Sequence, residues 1–232
     1  RTVTGVQTCA LPIYKDGTKM SKSDPDPLKA RLASLAGYIE DGYLPEAVRN
    51  YLCLLGWSPK DDRQILPIEE VIQKFDLPQV LRSNAKFDVA KLEWMNGQYI
   101  NMLAPEELGR RVTLPGDDEP YRRAVLNLLK SKVTLLKQFA ERTTYFFTDD
   151  FPIQPVDSAL LGKLADRYAT LPAWDAASLE ATLKSLATEL GVKTGVLIHP
   201  CRMAVSGQTV GPSLYPMLEV LGRDRVLKRL RR

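Results

Sequence analysis

The sequence predicts a mainly α protein, and three observations carry that expectation. Apolar residues recur at helical spacing in several stretches, each opened by a residue that caps or starts a helix and most closed by glycine. Strand signals are sparse, the run Gly195–His199 being the best of them. No internal repeat or low-complexity tract suggests a solenoid or a disordered tail.

The first predicted helix starts at Pro45, because a first-turn proline lacks only an N–H that would have no helical partner. It carries Val48, Leu52 and Leu55 on one stripe, and Gly56 can end it in a left-handed conformation. Asp88 is expected to cap a second helix holding Leu92 and Met95, stopped by Gly97. Pro120 opens a long third one with the stripe Val125, Leu128, Leu129, Val133, Leu136 and Phe139. Ser178 precedes Leu179, Leu183, Leu186 and Leu190, with Gly191 as the stop. Ser213 starts the same pattern for Leu214, Met217, Leu218 and Leu221, and Asp224 does so for Val226, Leu227 and Leu230. These stripes read as core, since a helix in a small domain buries one apolar face.

Turn formers divide the chain. Leu103-Ala104-Pro105 closes a first unit, Pro115-Gly116-Asp117-Asp118 is a loop inside a second, and the stretch Asp149–Pro155 precedes a third. A length of 232 residues, 44% hydrophobic and 26% charged, accommodates one to three compact units. Cys9, Cys53 and Cys201 are too few and scattered for a disulfide framework, which points to a reducing compartment. No apolar run approaches the roughly 20 residues that cross a bilayer. The net charge of +4 suits contact with a polyanion but equally suits proteins that bind none.

The chemistry-bearing stretch is Lys19-Met20-Ser21-Lys22-Ser23, behind Asp16-Gly17-Thr18. Two ammonium groups and two small hydroxyls within five positions suit a phosphate in transit: lysine is a compact charge on a flexible stem, and serine donates without blocking approach. Gly17 lets the preceding turn adopt backbone angles closed to other residues. The bland reading is a solvated surface turn.

Read as a motif, this pentapeptide resembles the second ATP-site loop of class I aminoacyl-tRNA synthetases. Three further blocks resemble bacterial glutamyl-tRNA synthetases in the same order. They are the stretch Gly42–Pro59, then Ala85-Lys86-Phe87-Asp88 with Lys91–Ile100, and finally Gly191–Gly195, His199-Pro200-Cys201-Arg202 and Ser206-Gly207 with Leu218–Gly222. The resemblance runs from about Tyr14 to the C-terminus. It implies the remainder of a stem-contact domain over 14–102, followed by two helical anticodon-binding domains over 103–156 and 157–232. The helical C-terminal half separates the chain from glutaminyl enzymes, whose anticodon domains are β-barrels.

The resemblance also implies the chemistry. Lys19 and Lys22 are the expected catalytic groups, and Lys19, Met20, Ser21, Lys22 and Ser23 the expected ATP contacts, with Mg2+ accompanying the nucleotide. When an amino-acid carboxylate attacks the α-phosphate, negative charge builds on phosphorus and departing pyrophosphate, and fixed cations stabilise it. The implied partners are tRNA(Glu), glutamate and ATP, for a cytoplasmic monomer with no membrane contact and no bound metal of its own. Lys130, Lys132, Arg202, Pro212 and Leu214 are the expected anticodon contacts, where unstacked bases meet cations and apolar faces. Arg122, Arg123 and the cluster Arg223, Arg225, Lys228, Arg229, Arg231 and Arg232 read instead as solubility and loose phosphate attraction.

The chain departs from the family in places. Ser23 stands where arginine is usual, and 24–41 is a few residues longer. Lys130 and Lys132 lie about where relatives that read the third anticodon base carry arginine. A lysine offers a point charge in place of two parallel donors, so strict discrimination between glutamate and glutamine tRNAs is not implied. The segment 1–13 reads as translated sequencing adapter and is set aside. The family's upstream His-Ile-Gly-His motif is not in this sequence, whose single histidine, His199, precedes Pro200. His199 therefore reads as a packed or RNA-facing residue, and the segment alone is expected to be inactive. The rival readings are a non-catalytic tRNA-binding module and a class I synthetase of related specificity.

Overall fold

The computed structural model describes residues 12–81, 83–152 and 154–232. The chain forms two compact units: the residues up to Ala104 together with Val133–Gln138, and Pro105–Lys132 together with Phe139–Arg232.

In the first unit, β1 (Pro12–Ile13) pairs in parallel with β2 (Ala85–Lys86), Pro12 opposite Ala85. Pro12 and Ile13, set aside with the leader, are thus part of the fold, while 1–11 lie outside the described residues. Between the strands come α1 (Pro27–Leu32), α2 (Leu35–Asp41), α3 (Pro45–Cys53) and α4 (Ile68–Lys74); α5 (Val89–Met102) follows β2. Asp26 starts α1 by accepting the Leu28 N–H at 2.9 Å, ahead of Pro27 in the first turn. Asp88 caps α5 through the Lys91 N–H at 3.2 Å, as the sequence predicts. The core gathers Tyr38, Tyr43, Val48, Tyr51, Phe87, Leu92, Met95 and Leu135, with edge-on ring pairs at 5.5 Å (Tyr38–Tyr43) and 5.0 Å (Tyr51–Phe87).

Two expectations for this unit need correction. Leu52 is 48% exposed, and α3 instead buries Ala47, Val48, Asn50 and Tyr51. Gly97 does not stop α5 but sits inside it, where an added Cβ would stand 3.3 Å from Thr134 Cγ2. Glycine here allows the segment Val133–Gln138 to approach. Buried Asn96, one residue earlier, ties that segment in: its amide donates to Thr134 O and its Oδ1 accepts the Leu44 N–H at 2.7 Å. The Leu136 N–H donates to Gly42 O at 2.9 Å.

The second unit holds α6 (Pro105–Arg111), α7 (Glu119–Leu129), a 3-10 turn (Lys130–Lys132), α8 (Gln138–Arg142) and α9 (Thr144–Phe147). It continues with α10 (Ser158–Ala169), α11 (Ala176–Glu189), α12 (Gly195–Ser206), α13 (Leu214–Leu221) and α14 (Arg223–Leu230). Asp118 caps α7 at the Tyr121 N–H, 3.0 Å, with Pro120 in the first turn. The long helix predicted from Pro120 ends at Leu129, because Val133 to Leu136 belong to the first unit's packing. Ser178 is not the cap of α11; Asp175 is, accepting the Ser178 N–H at 2.8 Å. Asp224 lies within the first turn of α14, whose cap position is Gly222. The run Gly195–His199 is no strand but the start of α12. Leu197, Cys201, Ala204 and Val205 are buried at helical spacing, and that burial overrides the local β-like pattern.

Arg229 is the hub of this unit and is 1% exposed. Its Nε donates to Asp149 Oδ1 at 2.9 Å, Nη2 to Tyr145 O and Thr148 O at 2.8 Å each, and Nη1 to Val205 O. Burial pushes the guanidinium's pKa down and the Asp149 carboxylate opposes that.

Candidate functional site

The lysine loop rises from a tight turn. The Tyr14 N–H donates to Thr18 O at 2.8 Å and the Gly17 N–H to Tyr14 O at 3.0 Å. Gly17 sits at φ +85°, a left-handed angle that a side chain would strain. Beyond the turn Lys19 bridges antiparallel to Ile13, and the Met20 N–H donates to Pro12 O at 3.1 Å. Met20 packs against the first unit's core and so anchors the loop. The following residues fold back locally, the Ser21 and Ser23 hydroxyls 3.0 Å apart and the Asp24 N–H donating to Ser21 O at 3.3 Å.

Lys19, Lys22 and Ser23 are exposed and Ser21 is half-buried. Among the described residues neither lysine's ammonium makes an ion pair. The loop therefore presents two exposed cations on a base held by backbone hydrogen bonds, an arrangement able to neutralise phosphate.

Asp16 and Lys29 were not among the expected site residues. Asp16 Oδ1 accepts from the Thr18 N–H at 2.9 Å and the Thr18 hydroxyl at 2.6 Å, while Lys29 Nζ donates to Oδ2. Hydrogen bonds from Lys29 first, then Thr18, hold the Asp16 carboxyl well below the usual range, and Asp16 pulls the Lys29 ammonium up. In the sequence Asp16 is only the residue before Gly17, and Lys29 reaches it from α1, a separation that no local pattern signals.

The expected anticodon residues fall in the second unit. Lys130 is half-buried and Lys132 exposed, both in the 3-10 turn. Arg202 lies on α12, its Nη1 buried with no hydrogen-bond partner among the described residues. A Cβ at Gly211 would come within 3.2 Å of that Nη1, so glycine makes room for the guanidinium. Pro212 is buried and Leu214 is 4% exposed, so both pack inside the unit.

A cavity of about 650 Å³, lined by Tyr121, Phe147, Arg223 and Arg225 among others, escaped sequence reasoning. Arg225 Nη1 donates to Tyr121 Oη at 2.8 Å, and Arg223 stacks 5.5 Å from the Trp174 ring centroid. These arginines, read from sequence as loose surface charge, are fixed by partners. No local pattern marks them, since both precede the first apolar residue of α14, Val226.

A family model described as anticodon binding domain matches residues 94–232, and one described as tRNA synthetases class I (E and Q), catalytic domain, matches residues 6–94. A glutamate–tRNA ligase of Moorella thermoacetica is 37% identical over 239 residues, covering 94% of this chain and 48% of the relative. One of Methylacidiphilum infernorum is 39% identical, covering 95% and 52% respectively. The solved structure of a glutamate tRNA ligase from Elizabethkingia meningosepticum superposes with a TM-score of 0.72 at 27% identity, over 84% of this chain and 41% of that one. The chain thus spans about half the length of the curated relatives it matches. With a lysine loop in its first unit and a helical second unit, the chain belongs to the anticodon binding domain family over residues 94–232, and residues 6–94 match the class I (E and Q) tRNA synthetase catalytic domain.

Proposed function

We propose that the chain serves ATP-dependent attachment of glutamate to tRNA(Glu), supplying the phosphate-handling loop and the anticodon-reading helices. The carrying observation is that Lys19 and Lys22 stand exposed and unpaired on an anchored loop, ahead of a helical unit matched by an anticodon binding family.

In this reading a glutamate carboxylate oxygen attacks the α-phosphorus of ATP, the bond to pyrophosphate breaks, and the adenylate then yields its glutamyl group to the tRNA terminal hydroxyl. Lys22, helped by Lys19, neutralises the departing pyrophosphate. The Ser21 and Ser23 hydroxyls donate to phosphate oxygens. Magnesium would arrive as a counter-ion on the nucleotide phosphates. Residues 14–102 would contact the tRNA stem, and 103–156 and 157–232 its anticodon, in a cytoplasmic monomer. Lys130, Lys132 and Arg202 offer cations to the anticodon bases, with Pro212 and Leu214 as the packed floor beneath that loop.

Joining the chain to the upstream part of a related glutamate–tRNA ligase gives the direct test. The joined protein is expected to charge tRNA(Glu) with glutamate, whereas neither part does so alone. A folded joined protein that binds ATP and tRNA but charges neither glutamate nor glutamine would refute the proposal.

A further inference from the structure

An acid stands beside the lysine loop. Asp16 lies three residues ahead of Lys19, and an unpaired carboxylate there would compete with a phosphate for that lysine's ammonium. Lys29 occupies it. Its Nζ donates to Asp16 Oδ2 and, at 3.3 Å, to Thr18 Oγ1, while lying 5.0 Å from the Tyr14 ring centroid. The Tyr14 hydroxyl donates in turn to the Lys29 carbonyl. A surface ion pair contributes little to global stability, and the effect of this one is on position: it joins the turn below the loop to α1 by four contacts at once. The neighbouring acids are already engaged by backbone: Asp24 Oδ1 accepts the Asp26 N–H at 3.0 Å, and Asp26 Oδ1 the Leu28 N–H at 2.9 Å.

We infer that Lys29 is a positioning residue of the activation site, holding the Asp16 carboxylate against Thr18 and away from Lys19 so that both loop ammonium groups remain for the triphosphate. This rests on the proposed reading of the loop. Lys29 itself touches no reacting atom. Its work is to cancel the charge of a side chain that the turn uses as a backbone acceptor but whose charge the loop does not tolerate.

The test uses the joined enzyme and three variants: Lys29→Met, Lys29→Arg, and Lys29→Met combined with Asp16→Asn. Lys29→Met is expected to raise the KM for ATP about fivefold, the scale of one solvent-exposed charge pair, with kcat, the KM for tRNA and the unfolding midpoint nearly unchanged. Lys29→Arg restores the parent value. The double variant returns to within about twofold of it, because an asparagine still accepts the Thr18 N–H yet no longer attracts Lys19. An unchanged KM for ATP in Lys29→Met, or a double variant no better than the single one, overturns the inference. So does a lowered unfolding midpoint with kcat falling and KM fixed, which marks a merely structural role. Lys22→Ala run alongside separates the two levels: if it abolishes exchange while Lys29→Met shifts nothing, Lys29 alone loses its role. If Lys22→Ala is silent, the loop reading falls, and this inference with it.

Discussion

Arg229 shows how much a single residue can hold. A guanidinium with its side chain fully out of solvent satisfies one carboxylate and three backbone carbonyls, from Val205, Tyr145 and Thr148. Replacing it by methionine keeps the volume and strands those oxygens, so Arg229→Met should cost about 3 kcal/mol, read as a shift of the denaturant midpoint. Asp149 carries the matching pH dependence. Hydrogen bonds from Lys228 and then Arg229 lower its pKa from 3.8 to about 2. A carboxylate depressed by folding contributes stability above its unfolded pKa and loses it as pH falls toward the folded value. The midpoint should therefore drop as pH falls from 4 to 2, and Asp149→Asn should flatten that drop. In the sequence Arg229 is one more charge in a basic tail. Its place three residues after Val226 and one before Leu230, on the stripe of α14, was the available signal, but composition alone averaged it away. The buried state depends on Asp149 and on carbonyls from α9 and α12, which no local window contains.

Helix identity was more legible than helix extent. Asp88 and Pro45 act as the sequence indicates, because a cap and a first-turn proline are local hydrogen-bond statements. Errors arose where tertiary contacts decide. The stripe from Val125 to Phe139 has uninterrupted apolar spacing, yet α7 ends at Leu129 because Leu135 is claimed by the core of α3 and α5, and Asn96 binds Thr134. Gly42 tests that junction. It sits at φ +80°, and an added Cβ would lie 2.7 Å from Lys137 N and 2.9 Å from Leu136 N. Gly42→Ala combines left-handed strain with a backbone clash, for a cost of about 2–4 kcal/mol in thermal or denaturant unfolding. Gly17→Ala, with the same handedness but nothing within 4 Å, should cost only the strain, about 1 kcal/mol. Equal losses for both would show that the Val133–Gln138 segment is not held where the hydrogen bonds place it.

Across the whole molecule, net charge was a poor guide and motif order a good one. A balance of +4 says nothing of where cations are free, and the ion pairs of Arg31, Arg63, Arg123 and Lys184 neutralise many of them locally. Lys19, Lys22 and Lys132 are exposed without such pairs among the described residues, whereas Arg223 and Arg225 are bound to protein carbonyls. The expected anticodon set is uneven for the same reason: Arg202 retains a buried, unpartnered donor, but Leu214 faces the core. Arg202→Ala should weaken tRNA(Glu) binding about tenfold, the scale of a lost base contact, in filter binding at fixed salt, with an anticodon-altered tRNA losing less. Equal loss for both RNAs would mark Arg202 as a phosphate contact. The central claim, that the paired ammonium groups of 19–23 neutralise a splitting triphosphate, has a more direct test in ATP–pyrophosphate exchange by the joined enzyme with glutamate and tRNA present. Lys22→Ala should lower the exchange rate about a hundredfold or more while leaving tRNA binding intact; exchange at the parent rate would contradict it.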